Sequence, residues 1–183
     1  IALCDAGTGI GKTYAYLVAG VVFRRYRSRA GLPNQPLLIS TSSIALQGAI
    51  IHDYLPFLSK VMMADGMLDS PLRAVLRKGK SHYVCDARLM KRLQTANLDR
   101  KNPLAKAALL SMRDHLDLDM APHLSGYDRE RICVPPTCDC GKTECRYLCY
   151  LDVCASERYA IQVCNHNLLL ADAIHQGSGK RPI

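Results

Sequence analysis

The sequence predicts an α/β fold, a parallel sheet covered by helices, with a Cys-rich, partly helical module inserted in it. Three observations predict it. Ile1-Ala2-Leu3-Cys4 and Leu37-Leu38-Ile39 are short, continuously apolar runs, the signature of strands buried on both faces. Helical stretches follow these runs, which gives the strand–helix order of parallel crossover units. Seven of the nine cysteines fall within residues 81–155, so the composition changes there and changes back afterwards.

Each element follows in chain order. The first apolar run leads into a Gly-rich turn, Ala6-Gly7-Thr8-Gly9-Ile10-Gly11-Lys12-Thr13. Residues 12–29 read as a helix with apolar Tyr16, Leu17, Ala19, Val21, Val22 and Phe23. Its Arg-rich last turn suits the negative end of the helix dipole. Residues 31–36 hold two prolines and a glycine and form a loop. After the second strand, Ser40-Thr41-Ser42-Ser43 supplies N-cap residues for a helix from about Ile44 to Tyr54. Arg73-Ala74-Val75-Leu76 is a further strand candidate. Residues 104–115 are helical in character, and 133–149 form a Pro- and Cys-rich section. Ile161-Gln162-Val163-Cys164 returns to strand character and 165–174 to helix. The organisation is therefore residues 1–80 as the first part of the α/β domain, 81–155 as the insert, and 156–183 as the return. The absence of an initiator Met and the chain end at Gly179-Lys180-Arg181-Pro182-Ile183 predict a segment of a longer protein, a partial domain.

Lys plus Arg number 24 against 16 Asp plus Glu, a formal charge of +8. Such an excess favours polyanionic partners, nucleic acid first, and is equally what a solvated basic surface shows. No apolar run is long enough to span a membrane, and no charged n-region precedes an apolar stretch, so the expected compartment is the cytoplasm. Thiols there stay reduced, and nine cysteines point to metal ligation before disulfides.

The Gly-rich turn carries the clearest chemistry. Glycines let backbone N–H groups converge on a polyphosphate, and the following helix aims the positive end of its dipole at it. Lys12 would reach the β- and γ-phosphates of ATP, and Thr13 would hold Mg²⁺ through its hydroxyl. This is the Walker A spacing of P-loop NTPases, with Ala6 where the commonest form has Gly.

Four blocks in order resemble the iron–sulfur superfamily 2 DNA helicases, the DinG/XPD-like group. Residues 5–13 resemble that family's Glu-Ala-Gly-Thr-Gly-Thr-Gly-Lys-Thr, departing at Asp5 and Ile10. Residues 40–47, Ser-Thr-Ser-Ser-Ile-Ala-Leu-Gln, are similar to motif Ia. Residues 77–85, Arg-Lys-Gly-Lys-Ser-His-Tyr-Val-Cys, resemble the segment that carries the first cluster ligand. Residues 163–170, Val-Cys-Asn-His-Asn-Leu-Leu-Leu, are similar to the Asn-His-x-Leu-Leu segment after the cluster module. The wording of the third block also resembles the CRISPR-associated type IV DinG-like branch, whose partner would be a CRISPR ribonucleoprotein complex.

The resemblance implies a RecA-like motor domain, ATP-dependent unwinding of single-stranded or forked DNA with 5′–3′ polarity, and strand contacts from Ser40, Thr41, Ser42 and Gln47 and from the cluster module, which would act as a wedge or strand guide. It also implies a [4Fe–4S] cluster. One distant cysteine followed by three close ones gives Cys85, Cys140, Cys145 and Cys149. Cys138 or Cys154 could replace one of them, the same spacing suits tetrahedral Zn²⁺, and some of these thiols could simply be buried packing groups. Cys4 and Cys164 read as core packing. Tyr83 and Tyr147, beside candidate ligands, could stack on bases or pack around the cluster, and Arg24, Arg25, Arg27 and Arg29 form a basic cluster or a solvated helix end. The family's Asp-Glu-Ala-His box is absent from these residues, so the segment alone is expected to turn over ATP negligibly. Two other readings stay open: a P-loop ATPase with a zinc-binding interaction module and no unwinding activity, and a non-enzymatic nucleic-acid-binding protein with a degenerate motor.

Overall fold

The computed structural model describes residues 4–5, 7–95, 103–138 and 145–176. The chain divides into two compact units, residues 1–77 with 154–183, and residues 78–153.

The first unit is built on three parallel strands, β1 (Leu37–Ser40), β2 (Ala74–Arg77) and β3 (Ile161–Cys164), in the order β1-β3-β2. The last strand in sequence lies in the middle. Leu37 aligns with Ile161 and Ser40 with Cys164 on one side, and Ala74 with Ile161 and Arg77 with Cys164 on the other. All four residues of β3 are buried, as its central position requires. This mixed α/β architecture with a parallel sheet is compatible with a P-loop, RecA-like fold. Residues 1–3 of the expected first strand lie outside the described residues. Cys4, expected in the core, is exposed and in no strand.

Helix α1 (Lys12–Arg29) buries Leu17 and Val21 against Ile39, Ile161 and Val163. Its close approach to β1 depends on Gly20, where an added Cβ would stand 2.1 Å from Leu37 Cδ2. The helix expected to end at Tyr54 runs further. α2 (Ile44–Ala49) passes through a π-helical turn (Ile50–Tyr54) into α3 (Leu55–Ala64). Pro56 reads as a stop in sequence but lies in the first turn of α3, where a missing N–H is tolerated. Ile50, Leu55, Leu58 and Met62 close the core.

The second unit contains α4 (Asp86–Thr95), α5 (Pro103–Ser111), α6 (Gly126–Ile132) and most of α7 (Arg146–Ala155), and has its own core. Leu89, Leu109, Met112, Leu118 and Ile132 are fully buried there. Ser125 caps α6, its Oγ accepting the Asp128 N–H at 3.0 Å and donating to Asp128 Oδ2 at 2.7 Å. Single antiparallel bridges pair Tyr83 with Asp117 and Val84 with Cys133. After α7 the chain enters β3 and then α8 (His166–Gln176), whose N-cap Asn165 accepts the Leu168 N–H at 2.7 Å. Among the described residues no helix is long and apolar enough to cross a membrane.

Candidate functional site

In a parallel sheet flanked by helices, ligands bind beyond the C-terminal ends of the strands. Ser40, Arg77 and Cys164 end β1, β2 and β3 at one level of the register, so the blocks that begin there share one edge of the sheet.

The Gly-rich turn ends in Gly11, at φ 82°, and Gly9 has φ 80°, backbone conformations that suit glycine and strain other residues. The left-handed Gly11 starts α1, and Ala15 N–H donates to its carbonyl at 3.0 Å. No acidic side chain stands in the first turn to neutralise the helix dipole. Lys12 Nζ bends back over the turn and donates to the Gly7 carbonyl at 2.6 Å. Gly7, Thr8, Gly9, Ile10, Gly11 and Lys12 are exposed and Thr13 is half-buried, while Ala6 lies outside the described residues.

After β1 the chain makes a hydroxyl-rich turn. Thr41 Oγ1 accepts the Ser43 N–H at 3.2 Å, and Ser43 Oγ accepts the Leu46 N–H at 3.1 Å, capping α2. Ser42 is exposed. Gln47 is turned inward and buried, its Nε2 donating to the Thr41 carbonyl at 2.9 Å, so it braces the turn from beneath. Ser40 Oγ lies 2.7 Å from His166 Nδ1, which links this turn to the start of α8. Burial pushes the Cys164 thiol pKa up and Asp172 adds to that, against a Ser40 hydrogen bond and the Arg77 charge. Cys164 is therefore a neutral, packed thiol, as expected. Arg77 is buried, with Nη1 donating to Gln162 Oε1 at 3.2 Å, and Gln162 Nε2 donates to the Cys154 carbonyl at 2.7 Å.

In the second unit, Cys85 is buried beside Tyr83 and Val134, in a cluster that Tyr147 and Tyr150 complete. Cys145 precedes α7, and Cys149 lies one helical turn on, its N–H donating to the Cys145 carbonyl at 3.0 Å. The flanking residues join the two segments: Arg146 Nε donates to Asp86 Oδ1 at 2.8 Å and Oδ2 at 3.0 Å. Arg146 also donates to the carbonyls of Arg113 at 2.9 Å and Met112 at 3.0 Å. Soft thiolates suit an iron–sulfur cluster or zinc. Among the described residues, however, no three His, Cys, Asp or Glu side chains gather as a metal site, and Cys140 lies outside them. Cys138 is exposed. Cys154 is fully buried.

The tyrosines sort by burial. Tyr83 is core: its ring lies 5.2 Å from Tyr147 and 5.1 Å from Tyr150, and its hydroxyl accepts the Lys78 N–H at 3.1 Å. Nothing in the sequence singled out the ion-pair network above it. Lys78 Nζ donates to Asp117 at 2.6 Å and Asp119 at 2.8 Å, and Arg129 donates to Asp119 at 2.6 Å. Burial opposes the charge on Asp119, but Lys78 and Arg129 outweigh it and hold the carboxyl well below its ordinary range. Lys78 loses by burial and gains more from Asp117 and Asp119, so its pKa is raised. The partners lie about 40 residues apart in sequence, beyond the reach of any local pattern.

The chain matches no protein-family model. It is similar to curated proteins over part of its length. The ATP-dependent DNA helicase DinG of Photobacterium profundum is 35% identical over 85 residues, 46% of this chain and 10% of that protein. The 3′-5′ exonuclease DinG of Bacillus subtilis is 32% identical over 109 residues, 60% of this chain and 10% of that protein. The ATP-dependent DNA helicase YoaA of Escherichia coli is 36% identical over 85 residues, 46% of this chain and 11% of that protein. The matched stretch thus spans about a tenth of the length of these relatives. These similarities lend no support to the CRISPR-associated branch. By these similarities the chain contains a DinG-like segment.

Proposed function

We propose that this chain is the nucleotide-binding part of an ATP-dependent DNA helicase. ATP would lie in the turn of residues 6–13, with Lys12 on its β- and γ-phosphates and Thr13 on Mg²⁺. The observation that carries this reading is Lys12 folded back onto the Gly7 carbonyl at the N-terminus of α1. An ammonium group is held beside the Gly-rich turn at the start of a helix, with no carboxylate in the first turn to oppose an anion. Single-stranded DNA would cross the turn after β1, where the hydroxyls of Ser40, Thr41 and Ser42 and the amides at the start of α2 suit phosphate contacts. Gln47 would act there by holding the turn in shape. Directional 5′–3′ movement belongs to this proposal and requires a second motor domain as well as the Asp-Glu-Ala-His box, which these 183 residues do not hold. They are expected to bind ATP without turning it over.

A [4Fe–4S] cluster on Cys85, Cys140, Cys145 and Cys149 is part of the same proposal. The support is the Asp86–Arg146 ion pair, which ties together the segments that carry Cys85 and Cys145. When bound, such a cluster would serve as a structural crosslink of the second unit. Anaerobically purified protein should then carry iron and labile sulfide. Zinc without sulfide would instead favour the interaction-module reading.

The decisive measurement is equilibrium binding of a fluorescent ATP analogue with Mg²⁺. Lys12→Ala removes a charge-assisted bond and should weaken binding about 10- to 100-fold. Equal binding by the variant, with an unchanged circular dichroism spectrum, would sink the nucleotide site.

A further inference from the structure

In the first unit, the face of α1 that packs on the sheet ends in charge. Gly20, Val21, Arg24, Arg25, Ser28 and Arg29 stand at i, i+1, i+4, i+5, i+8 and i+9, one contiguous face of the helix. With Asn34 from the loop before β1, and Asp69 and Ser70 from the turn before β2, they line an open cleft of about 380 Å³. Leu37, Leu72 and Ile161 give it an apolar wall. Leu37 and Ile161 are the first residues of β1 and β3, so the cleft opens at the N-terminal end of the strands. Lys12 and Arg29 stand at opposite ends of α1, about 25 Å apart at a rise of about 1.5 Å per residue. The cleft is therefore separate from the Gly-rich turn.

Charge in the cleft is not balanced. Among the described residues, Arg24, Arg25 and Arg29 form no ion pair, and Asp69 is the one carboxylate in the lining. Arg24 Nη2 donates to the Glu157 carbonyl at 3.3 Å, which holds the guanidinium without neutralising it. The carbonyl end of α1 supplies about half a negative charge. Three guanidinium groups against that half charge and one carboxylate leave a surplus of about 1.5 positive charges. Arg25 and Arg29, at i and i+4, also repel each other. Two polar atoms are left over as well: Arg24 Nε and Asn34 Oδ1 are buried and have no hydrogen-bond partner. A buried donor and a buried acceptor left unpaired carry a desolvation cost that a polar ligand can offset. Arg27, in the same stretch of α1, shows the contrast. Its Nη2 donates to the Pro33 carbonyl at 3.1 Å, its guanidinium carbon lies 5.9 Å from the Phe23 ring centroid, and it stands outside the cleft.

We propose that this cleft binds a small phosphomonoester with an apolar body. A phosphomonoester carries about 1.5 to 2 negative charges at pH 7, which matches the surplus. Its oxygens accept from the guanidinium forks of Arg25 and Arg29, which suit phosphate bidentately, and from the Ser28 and Ser70 hydroxyls. Its apolar body lies against Leu37, Leu72 and Ile161. The volume stands at the lower end of the range of about 300–1,000 Å³ for small-ligand pockets, so it suits a free small molecule and not a polymer. The site is independent of the ATP reading, which concerns the other end of α1.

The test is a titration of the full chain with phenyl phosphate, inorganic phosphate and phenol, followed by the amide chemical shifts of Ser28, Asn34 and Ser70. Phenyl phosphate should move all three and bind about tenfold more tightly than inorganic phosphate, because only it uses both the charge and the apolar wall. Phenol should not saturate the site. Arg25→Gln/Arg29→Gln should weaken phenyl phosphate about tenfold or more, and Arg27→Gln should bind as the parent does. Asp69→Asn removes the opposing carboxylate and should tighten binding about twofold or more, a gain that unfolding cannot mimic. Lys12→Ala should leave the three shifts unchanged, which keeps this site distinct from the Gly-rich turn. Three results would each overturn the proposal: no saturable shift at these residues, equal affinity for phenyl phosphate and inorganic phosphate, or equal binding by the parent, Arg25→Gln/Arg29→Gln and Asp69→Asn. Shifts confined to residues 7–13 would do the same while leaving the ATP reading intact.

Discussion

Asp119 shows how much one side chain can gather. It accepts from Lys78 and Arg129 and lies 3.4 Å from His82 Nδ1, so a single carboxylate ties three parts of the second unit together. Its pKa is depressed below the ordinary 3.8 by those cations, against the opposing effect of burial. The sign of the pH dependence follows. A depressed carboxylate contributes stability that is complete above its unfolded pKa and is lost as pH falls through the folded one. Asp119→Asn should therefore lower the urea midpoint at pH 7, and the gap between parent and variant should narrow on acidification below about pH 4. Because the side chain is 43% exposed, solvent screens the pair and the effect should also shrink in high salt. A gap that stays constant from pH 7 to pH 3 would contradict this account. The raised pKa of Lys78 acts at the other extreme: its contribution is complete below the ordinary 10.5 and is lost only as pH rises above it.

At the level of elements, α1 and β1 are spaced by what Gly20 lacks. A mid-helix glycine normally costs about 1 kcal/mol against alanine. Here the added Cβ would overlap the end of the Leu37 side chain at 2.1 Å. Gly20→Ala gains helix propensity and displaces Leu37, and should come out close to neutral. Gly20→Val adds branched bulk with nowhere to go and should cost about 1–3 kcal/mol in a denaturant titration. The three strands and α1 were legible because apolar runs and capping residues are local signals, and Leu37, Ile161 and Leu17 lie where those signals point. α3 was not legible, because Pro56 looks like a stop until the π turn before it makes that position a first turn. α6 carried a readable signature, Ser125 followed by Asp128 three residues on, but the surrounding charge hid it. Gln47 illustrates the converse: its place in the motif was plain, but its inward bond to Thr41 is a property of the folded turn.

For the whole molecule, the decisive fact is that each compact unit has a core of its own. Leu17, Ile50, Leu55, Ile161 and Val163 fill one, and Leu89, Leu109, Met112, Leu118 and Ile132 fill the other. The chain passes between the units at residues 77–78 and again at 153–154, so the second unit is one continuous stretch and the first is assembled from two. A continuous stretch closes its contacts without waiting for distant chain, whereas β3 must return to the middle of the sheet after the whole second unit, residues 78–153. Leu109 is fully buried in the second core and separates the two stabilities. Leu109→Ala deletes a packed side chain and should cost about 2–5 kcal/mol in that unit. Residue-resolved hydrogen exchange should then show protection falling for α4, α5 and α6, while β1, β2 and β3 keep theirs. Loss of protection to the same degree in both sets would mean that the chain unfolds as one cooperative body, and that two separate cores do not make two separate stabilities.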